Sequence, residues 1–205
     1  MIYIFIIPVL FFSIIVHEFA HGYIALKSGD PTAKQAGRLT FNPIPHIDIM
    51  GTVILPLMLI LSQSGIIFGW AKPIPVNPMN FRDYKKDSVK VAAAGPLSNI
   101  LLLLCFMLIS MIVAKTLGYN NLLFSILFFG IQINLILALF NLLPIPPLDG
   151  SHILEYFLPE HLLENYHKIS RYGFLLLIIV FITPLGNVIF APIEYLLSLI
   201  LRFII

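Results

Sequence analysis

The stretch that decides the fold is residues 2–21, IYIFIIPVLFFSIIVHEFAH, at the start of a chain of 205 residues. From Ile2 to Val16 it carries no charge, and the apolar pattern continues to about Lys27 before Ser28-Gly29-Asp30-Pro31 ends it. A largely apolar run of this length, interrupted before HEFAH by Pro8 and Ser13, predicts a membrane-spanning helix. The polar residues 17–21, HEFAH, therefore fall inside a membrane helix, where ionisable groups are candidates for a functional site.

The HEFAH segment has the spacing of a metal-binding pair. Residues four apart leave a helix on the same face, so His17 and His21 can bind one metal ion, and Glu18 lies beside them as a candidate proton acceptor. This arrangement is typical of zinc hydrolases. The simpler interpretation, a pair of core histidines with a hydrogen-bonded carboxylate, is costly in lipid, so we favour a metal site.

Composition supports an integral membrane protein. The chain is 59% hydrophobic and 11% charged, whereas soluble domains carry about a quarter charged residues. A formal charge of +2, without a basic run that includes aromatic residues, argues against a nucleic-acid partner. We therefore expect the lipid bilayer to be the main environment of the protein.

The chain order predicts an all-α polytopic fold with five to six transmembrane helices. Residues 1–205 are predicted to form a single membrane-embedded domain, with a core at about 1–155 and accessory helices at about 172–205. Residues 49–80 are apolar but contain several prolines, and the prolines of GWAKPIPVNP at 69–78 exclude helix there. We expect this region to be a re-entrant helix followed by extended chain.

The positive-inside rule favours the re-entrant arrangement. If 49–80 enters and returns on one side, ten Lys and Arg share that side and Lys115 lies opposite, with Lys72 in the re-entrant piece. The rule then predicts an external N-terminus and a cytosolic C-terminus. It also places the HEFAH end of the first helix and Asp149 at the cytosolic face.

A catalytic zinc ion usually has three protein ligands, so the third must come from elsewhere in the chain. Asp149 is the best candidate because it follows an apolar segment and a proline-rich break at that same face. The alternative for Asp149 is a helix cap, and His152 is a rival ligand. His46, His161 and His167 lie in polar connectors, where we expect solvated surface positions.

Several motifs together resemble one family. HEFAH at 17–21, GPLSN at 95–99 and NLLPIPPLDG at 141–150 resemble the site-2 protease family of intramembrane zinc metalloproteases, which is M50-like. GRLTFNPIPHID at 37–48 and GWAKPIPVNP at 69–78 are similar to its compact bacterial and archaeal branch. The chain departs from better-known members in that it carries no PDZ or CBS domain.

The resemblance implies a role for each matching residue. His17, His21 and Asp149 would bind one Zn²⁺ per chain, and Glu18 would be the catalytic base. Asn141 would bind the substrate, and Asn99 would line the same cavity; for both, the alternative is an ordinary hydrogen bond between membrane helices. The substrates would be transmembrane proteins, cut within or near their membrane segments in a bacterial or archaeal cell membrane.

Two other classes of function stay open from the sequence. A metal transporter or metal-sensing membrane protein explains intramembrane His and Asp residues, but it gives Glu18 no special role and does not require the prolines of 69–78. An inactive scaffold is the third interpretation, and the complete set of catalytic residue types argues against it.

Overall fold

The computed structural model describes residues 3–62 and 70–204, so residues 63–69 of the predicted re-entrant region lie outside the described residues. Within the described part, the regular structure is entirely helical, which confirms the predicted all-α class. Nine α-helices are described: α1 Tyr3–Lys27, α2 Thr32–Gln35, α3 Leu55–Leu61, α4 Tyr84–Leu117, α5 Leu122–Asn141, α6 Asp149–Phe157, α7 Glu160–Ser170, α8 Gly173–Ile182 and α9 Leu185–Ile204. Short turns of other helix types lie at Ile44–His46, Ile49–Ile54 and Pro78–Asn80.

Among the described residues, four helices are long and apolar enough to cross a membrane. They are α1 from Phe5 onward, α4, α5 and α9. The predicted fifth segment corresponds to α8, whose ten residues cover about 15 Å, half of a bilayer core. Thr183 follows α8 in an extended conformation, as expected for a residue that precedes a proline, here Pro184. The predicted count of five to six crossings is therefore not confirmed.

Helices α1, α4 and α5 pack against one another and form the centre of the molecule. A core cluster lies between α4, α5 and α9, and it includes Leu103, Ile131 and Ile193. On the opposite side of α4, Leu97, Leu101 and Ile112 are 61–63% exposed at helical spacing, as expected for a lipid-facing surface. Each helix thus presents one face to its neighbours and one to lipid.

The predicted helix with a returning extended chain is present in the described part of 49–80. Residues 49–61 are helical, and residues 70–77 have no regular secondary structure. The amide of Trp70 donates to Gly51 O at 3.1 Å and that of Lys72 to His46 O at 2.9 Å. Because the residue numbers run in opposite directions, the returning chain lies antiparallel to residues 46–51.

The end of α1 is tied to the beginning of α4. Gly29 has φ 110°, in the left-handed region that favours glycine, and a Cβ there would lie 2.8 Å from Asn80 O. The Arg82 amide donates to Ser28 O at 3.0 Å. The charged end of α1 and the charged beginning of α4 therefore lie at the same end of the helix bundle.

His46 corrects one prediction from the sequence. We expected a solvated surface histidine, but its side chain is fully buried and its Nε2 lies 2.9 Å from Thr40 O. It supports the returning chain, because its own carbonyl oxygen accepts from Lys72. Because the connector folds back on itself, it buries a side chain that its polar sequence led us to expect in solvent.

Candidate metal centre

His17 and His21 lie one turn apart on α1 and point into the protein. Their residues are 7% and 8% exposed, and their Nε2 atoms are 3.0 Å apart. Their rings meet edge to face, with centroids 4.6 Å apart. The helix pairing predicted from the i, i+4 spacing is therefore the observed geometry.

The other ring nitrogens determine which Nε2 atoms can bind a metal. His21 Nδ1 lies 2.7 Å from Val91 O, and a carbonyl oxygen only accepts, so this Nδ1 carries the proton. His17 Nδ1 lies 2.6 Å from Asn99 Oδ1 and likewise donates. In the neutral rings both Nε2 atoms then carry lone pairs, which is the form that ligates metals.

Asp149 brings the third donor to the same point. It is the first residue of α6, and its Oδ2 lies 3.3 Å from the Nε2 atoms of His17 and of His21. This oxygen is buried and forms no hydrogen bond within the described chain. Leu148 takes the N-cap position and α6 has no side-chain cap bond, so the structure does not use Asp149 as a cap.

Gly150 allows this close approach. A Cβ at residue 150 would lie 2.5 Å from Leu143 O, inside the backbone of the loop that precedes α6. The proline-rich loop can therefore pass directly against the start of α6 only because this residue has no side chain. The packing of this loop against the first residues of α6 brings Asp149 to the histidines.

The cluster fits a tetrahedral zinc ion. Among the described residues, His17, His21 and Asp149 form a group whose donor atoms all lie within 4.8 Å of one another. At the usual zinc bond lengths, two donors of a tetrahedral site are about 3.3–3.4 Å apart, close to the spacing of the three atoms here. Three converging lone pairs repel one another, and a cation removes that repulsion.

Gly95 on α4 keeps space in front of the histidines. A Cβ on this residue would lie 2.6 Å from His17 Nε2 and closer still to His21 Nε2. The glycine of GPLSN therefore has a steric role that the sequence motif alone does not reveal.

Glu18 lies beside the cluster and contacts the returning chain. Its Oε2 accepts a hydrogen bond from the Ile74 amide at 2.7 Å. Both residues line a cavity of about 410 Å³ together with the three candidate ligands. The carboxylate is thus held at the wall of the same cavity as the metal-binding atoms.

Residues 72–77 of the returning chain form one side of this cavity. Hydrogen bonds from Arg38 and to Asp30 hold this segment in place. Arg38, which is buried, donates through Nη2 to Lys72 O at 2.7 Å and to Pro73 O at 3.3 Å. At the far end, the Asn77 amide donates to the carboxylate of Asp30 at 2.7 Å. The segment is therefore anchored at both ends with Ile74 facing Glu18.

Asp30 is fully buried and accepts further hydrogen bonds from Thr32 and from Asn80 Nδ2, the latter at 2.8 Å. Burial by itself raises the pKa of Asp30, but the hydrogen bonds from Thr32, Asn80 and Asn77 outweigh it and leave the pKa below its ordinary value. Asp30 therefore stays ionised and links the end of α1 to the returning chain.

The remaining candidates occupy different places. Asn141 lines the cavity, and its Nδ2 donates to Leu137 O at 2.9 Å. Asn99 is fully buried behind His17 and is not among the residues that line the cavity. His152 lies at the cavity rim with a side chain that is 57% exposed, near Glu155 and apart from the three-donor cluster.

Sequence reasoning missed Arg38, Asp30 and Asn134 as parts of the site. Asn134 is fully buried in an apolar helix, and its partner is Asn99. A buried polar residue in a membrane segment is a signal in itself, but the sequence does not identify the partner.

Comparisons with known proteins point to one family. The model of "Peptidase family M50" matches residues 109–181, a stretch that contains Asn141 and Asp149 but not HEFAH. The chain is 42% identical over 189 residues to "Putative zinc metalloprotease YwhC" of Bacillus subtilis. This alignment covers 88% of this chain and 81% of that protein. It is 32% identical over 180 residues to "Putative zinc metalloprotease Rip2" of Mycolicibacterium smegmatis, covering 85% of this chain and 65% of that protein.

A third relative, "Putative zinc metalloprotease MJ0611" of Methanocaldococcus jannaschii, is 38% identical over 93 residues, which is 44% of this chain and 47% of that protein. No solved structure matches the fold. The first relative is similar along most of both chains, and its match includes far more than the motifs of the site. The chain belongs to peptidase family M50, the zinc metalloprotease family that its motifs resemble.

Proposed function

We propose that this membrane zinc metalloprotease hydrolyses peptide bonds within or near the transmembrane segments of other membrane proteins. The observation that supports this most directly is the convergence of His17, His21 and Asp149 beside Glu18 in one cavity between apolar helices. A substrate that reaches this cavity from the bilayer would be a membrane segment. We place this cavity near the cytosolic face of a cell membrane, following the charge distribution of the connectors.

In this proposal His17, His21 and Asp149 hold one zinc ion. When bound, zinc supplies Lewis-acid chemistry and makes water acidic enough to lose a proton near neutral pH. Glu18 would take that proton as the water oxygen bonds to the carbonyl carbon, and would then pass it to the leaving nitrogen as the C–N bond breaks.

The returning chain would align an unwound substrate. A helix hides its carbonyls in internal hydrogen bonds, so the cleaved stretch must be extended, and an extended peptide can pair with an exposed backbone edge. Pro73, Pro75 and Pro78 have no amide hydrogen, and the amides of Lys72, Ile74 and Asn77 are already bonded within the protein. In the part of the chain that the structure describes, Val76 keeps a free amide, and we assign it and Asn141 to substrate contacts.

Zinc content and cleavage in proteoliposomes test the proposal together. We expect about one zinc per chain in the wild-type protein, loss of zinc in Asp149→Asn and retention in His152→Ala, which serves as the matched control from the same helix. With a set of single-span reporter substrates, Glu18→Gln should abolish cleavage and keep zinc. Cleavage that persists in Glu18→Gln, or zinc that persists in Asp149→Asn, would overturn the assignment; zinc flux that survives Glu18→Gln would indicate a transporter.

A further inference from the structure

A hydrogen-bonded network of buried polar side chains lies behind His17, on the side away from the cavity. Ser13 on α1, Asn99 on α4 and Asn134 on α5 are each 0% exposed. Asn99 Nδ2 donates to Asn134 Oδ1 at 2.8 Å, and Asn134 Nδ2 donates to Ser13 Oγ, also at 2.8 Å. Hydrogen bonds between one hydroxyl and two side-chain amides thus link α1, α4 and α5, and the amide of Asn99 connects them to His17 Nδ1.

A backbone carbonyl fixes the orientation of both side-chain amides in this network. Asn134 Nδ2 lies 2.8 Å from Gly130 O, which only accepts, so the NH₂ group of Asn134 faces it and Oδ1 faces Asn99. Asn99 must then direct its NH₂ group toward Asn134 and its Oδ1 toward His17. His17 Nδ1 must therefore donate.

The reversed orientation is excluded by the same contacts. If the Asn134 amide rotated by half a turn, its oxygen would face Gly130 O and its NH₂ group would face the NH₂ group of Asn99. The Ser13 hydroxyl donates to Val9 O at 2.9 Å, so the lone pair of its oxygen is available to Asn134 Nδ2. Because Ser13, Asn99 and Asn134 are fully buried, both mismatches would carry the cost of an unsatisfied buried polar group.

We propose that Asn134, with Ser13 as its second anchor, is a positioning residue of the metal centre. It acts on His17 only through Asn99, and it selects the ring form whose Nε2 lone pair faces the cluster. No motif of the sequence marks either residue for this role. The proposal rests on the proposed function in one respect, that His17 is a zinc ligand.

The zinc dissociation constant, measured by competition with a chelator on the detergent-solubilised chain, is the first readout. Residues that orient a metal ligand typically contribute 10- to 100-fold to metal affinity, so Asn134→Leu should weaken zinc binding by about tenfold or more. Gln132→Leu is the matched control, because it removes the same amide from the exposed face of the same helix. It should leave the dissociation constant unchanged.

A double-mutant cycle separates positioning from a general loss of packing. If Asn134 acts through Asn99, the effect of Asn134→Leu disappears once Asn99→Leu is present, and the double variant binds zinc like Asn99→Leu alone. Additive losses would overturn the proposal, because they mean that Asn134 acts by another route. Unchanged affinity in Asn134→Leu, with tight binding by the wild-type protein, would overturn it as well.

Ser13→Ala supplies an independent variant should Asn134→Leu fail to fold. Its control is Ser110→Ala, which removes a fully buried hydroxyl that has no partner among the described residues. We expect weaker zinc binding in Ser13→Ala only, and equal affinities in the two variants would contradict the role of Ser13 and Asn134. A wild-type protein that binds no zinc would refute the proposed function itself and not this inference alone.

Discussion

Single atoms decide the geometry of the metal centre. The two histidines are useful as ligands because Val91 O and Asn99 Oδ1 each accept from an Nδ1 atom and leave the Nε2 lone pairs free. Asp149 Oδ2 completes the group, since it is buried and has no hydrogen-bond partner among the described residues. At this scale the described residues bring three donor atoms together at a spacing that one cation can bind.

Glu18→Gln tests the acid–base role of a single oxygen. The amide keeps the size of the side chain but does not take up a proton, so we expect cleavage to fall below detection, a loss of at least about 10²- to 10⁴-fold, while zinc affinity stays within error. Measuring kcat/KM and zinc content on the same preparation checks this. Glu155→Gln, at the rim near His152, is the control and should retain activity.

Gly95→Ala tests the space in front of the histidines. The added Cβ would overlap the Nε2 atoms of His17 and His21, so zinc affinity should fall roughly tenfold or more. Gly118→Ala, at the other end of α4, is the control: its φ of 76° strains any residue with a side chain, but its Cβ would meet no described atom within 4 Å. Chelator competition on both variants distinguishes loss of the site from a general packing defect, and equal affinities would contradict the steric role of Gly95.

At the scale of elements, the returning chain at 70–77 depends on anchors from other parts of the sequence. Removing Arg38 by substitution with Ala releases the carbonyls of Lys72 and Pro73, so amide hydrogen exchange in this segment should accelerate on the order of tenfold. Hydrogen exchange read by mass spectrometry measures this without a substrate. Lys34→Ala, an exposed cation of the same connector, should not change it.

Asp30 predicts a pH dependence for the same anchor. Its folded-state pKa is lowered, so its stabilisation is fully present above the unfolded pKa, about 3.9, and is lost as the pH falls through the lower folded value. We therefore expect Asp30→Asn to unfold at a lower temperature than wild type at pH 7, with the difference shrinking below about pH 4. Thermal unfolding across this range checks it, and an exposed control, Glu160→Gln, should show no such convergence.

The sequence predicted side-chain positions well where they depend on the geometry of one helix, and poorly where they depend on how two helices pack. The i, i+4 spacing of His17 and His21 defines a face of one helix, and the pair is found there. Asn99 was expected at the cavity wall, but it lies behind His17 because the packing of α4 against α1 sets its direction. Its partner Asn134 lies 35 positions away in the sequence, and no local pattern relates the two residues.

For the whole molecule, the topology follows from which helix ends share a side. The end of α1, the beginning of α4 and the end of α5 meet around the site, so the connectors at 28–48 and 142–171 lie at one end of the bundle and residues 118–121 at the other. Which end faces the cytosol is predicted from the ten Lys and Arg. The sequence alone does not fix the number of crossings, because the apolar run in α8 has the composition of a membrane helix and only half its length.

Cysteine labelling from either side of the membrane tests this arrangement. On a Cys105→Ser background, Lys34→Cys and His161→Cys should react from the cytosolic side, and Tyr119→Cys from the external side. Labelling of Lys34→Cys and Tyr119→Cys from the same side would contradict the predicted topology. Labelling of Arg202→Cys then shows how many of the last two helices cross the membrane. This cysteine should react from the cytosolic side if α8 and α9 both cross, and from the external side if only α9 crosses.

If the substrate is a membrane helix, as we propose, the positions of the site on α1 and α4 indicate how much of that helix must unwind. His21 precedes Lys27 by six residues and Gly95 follows Lys90 by five, so the two helices independently place the metal donors about 8–9 Å below these lysines. His17 lies about 15 Å below Lys27 by the same measure. At 5.4 Å per turn, a substrate helix that enters from this end has to lose only about two to three turns. The remainder of its membrane segment can stay helical in the lipid while one end is cut.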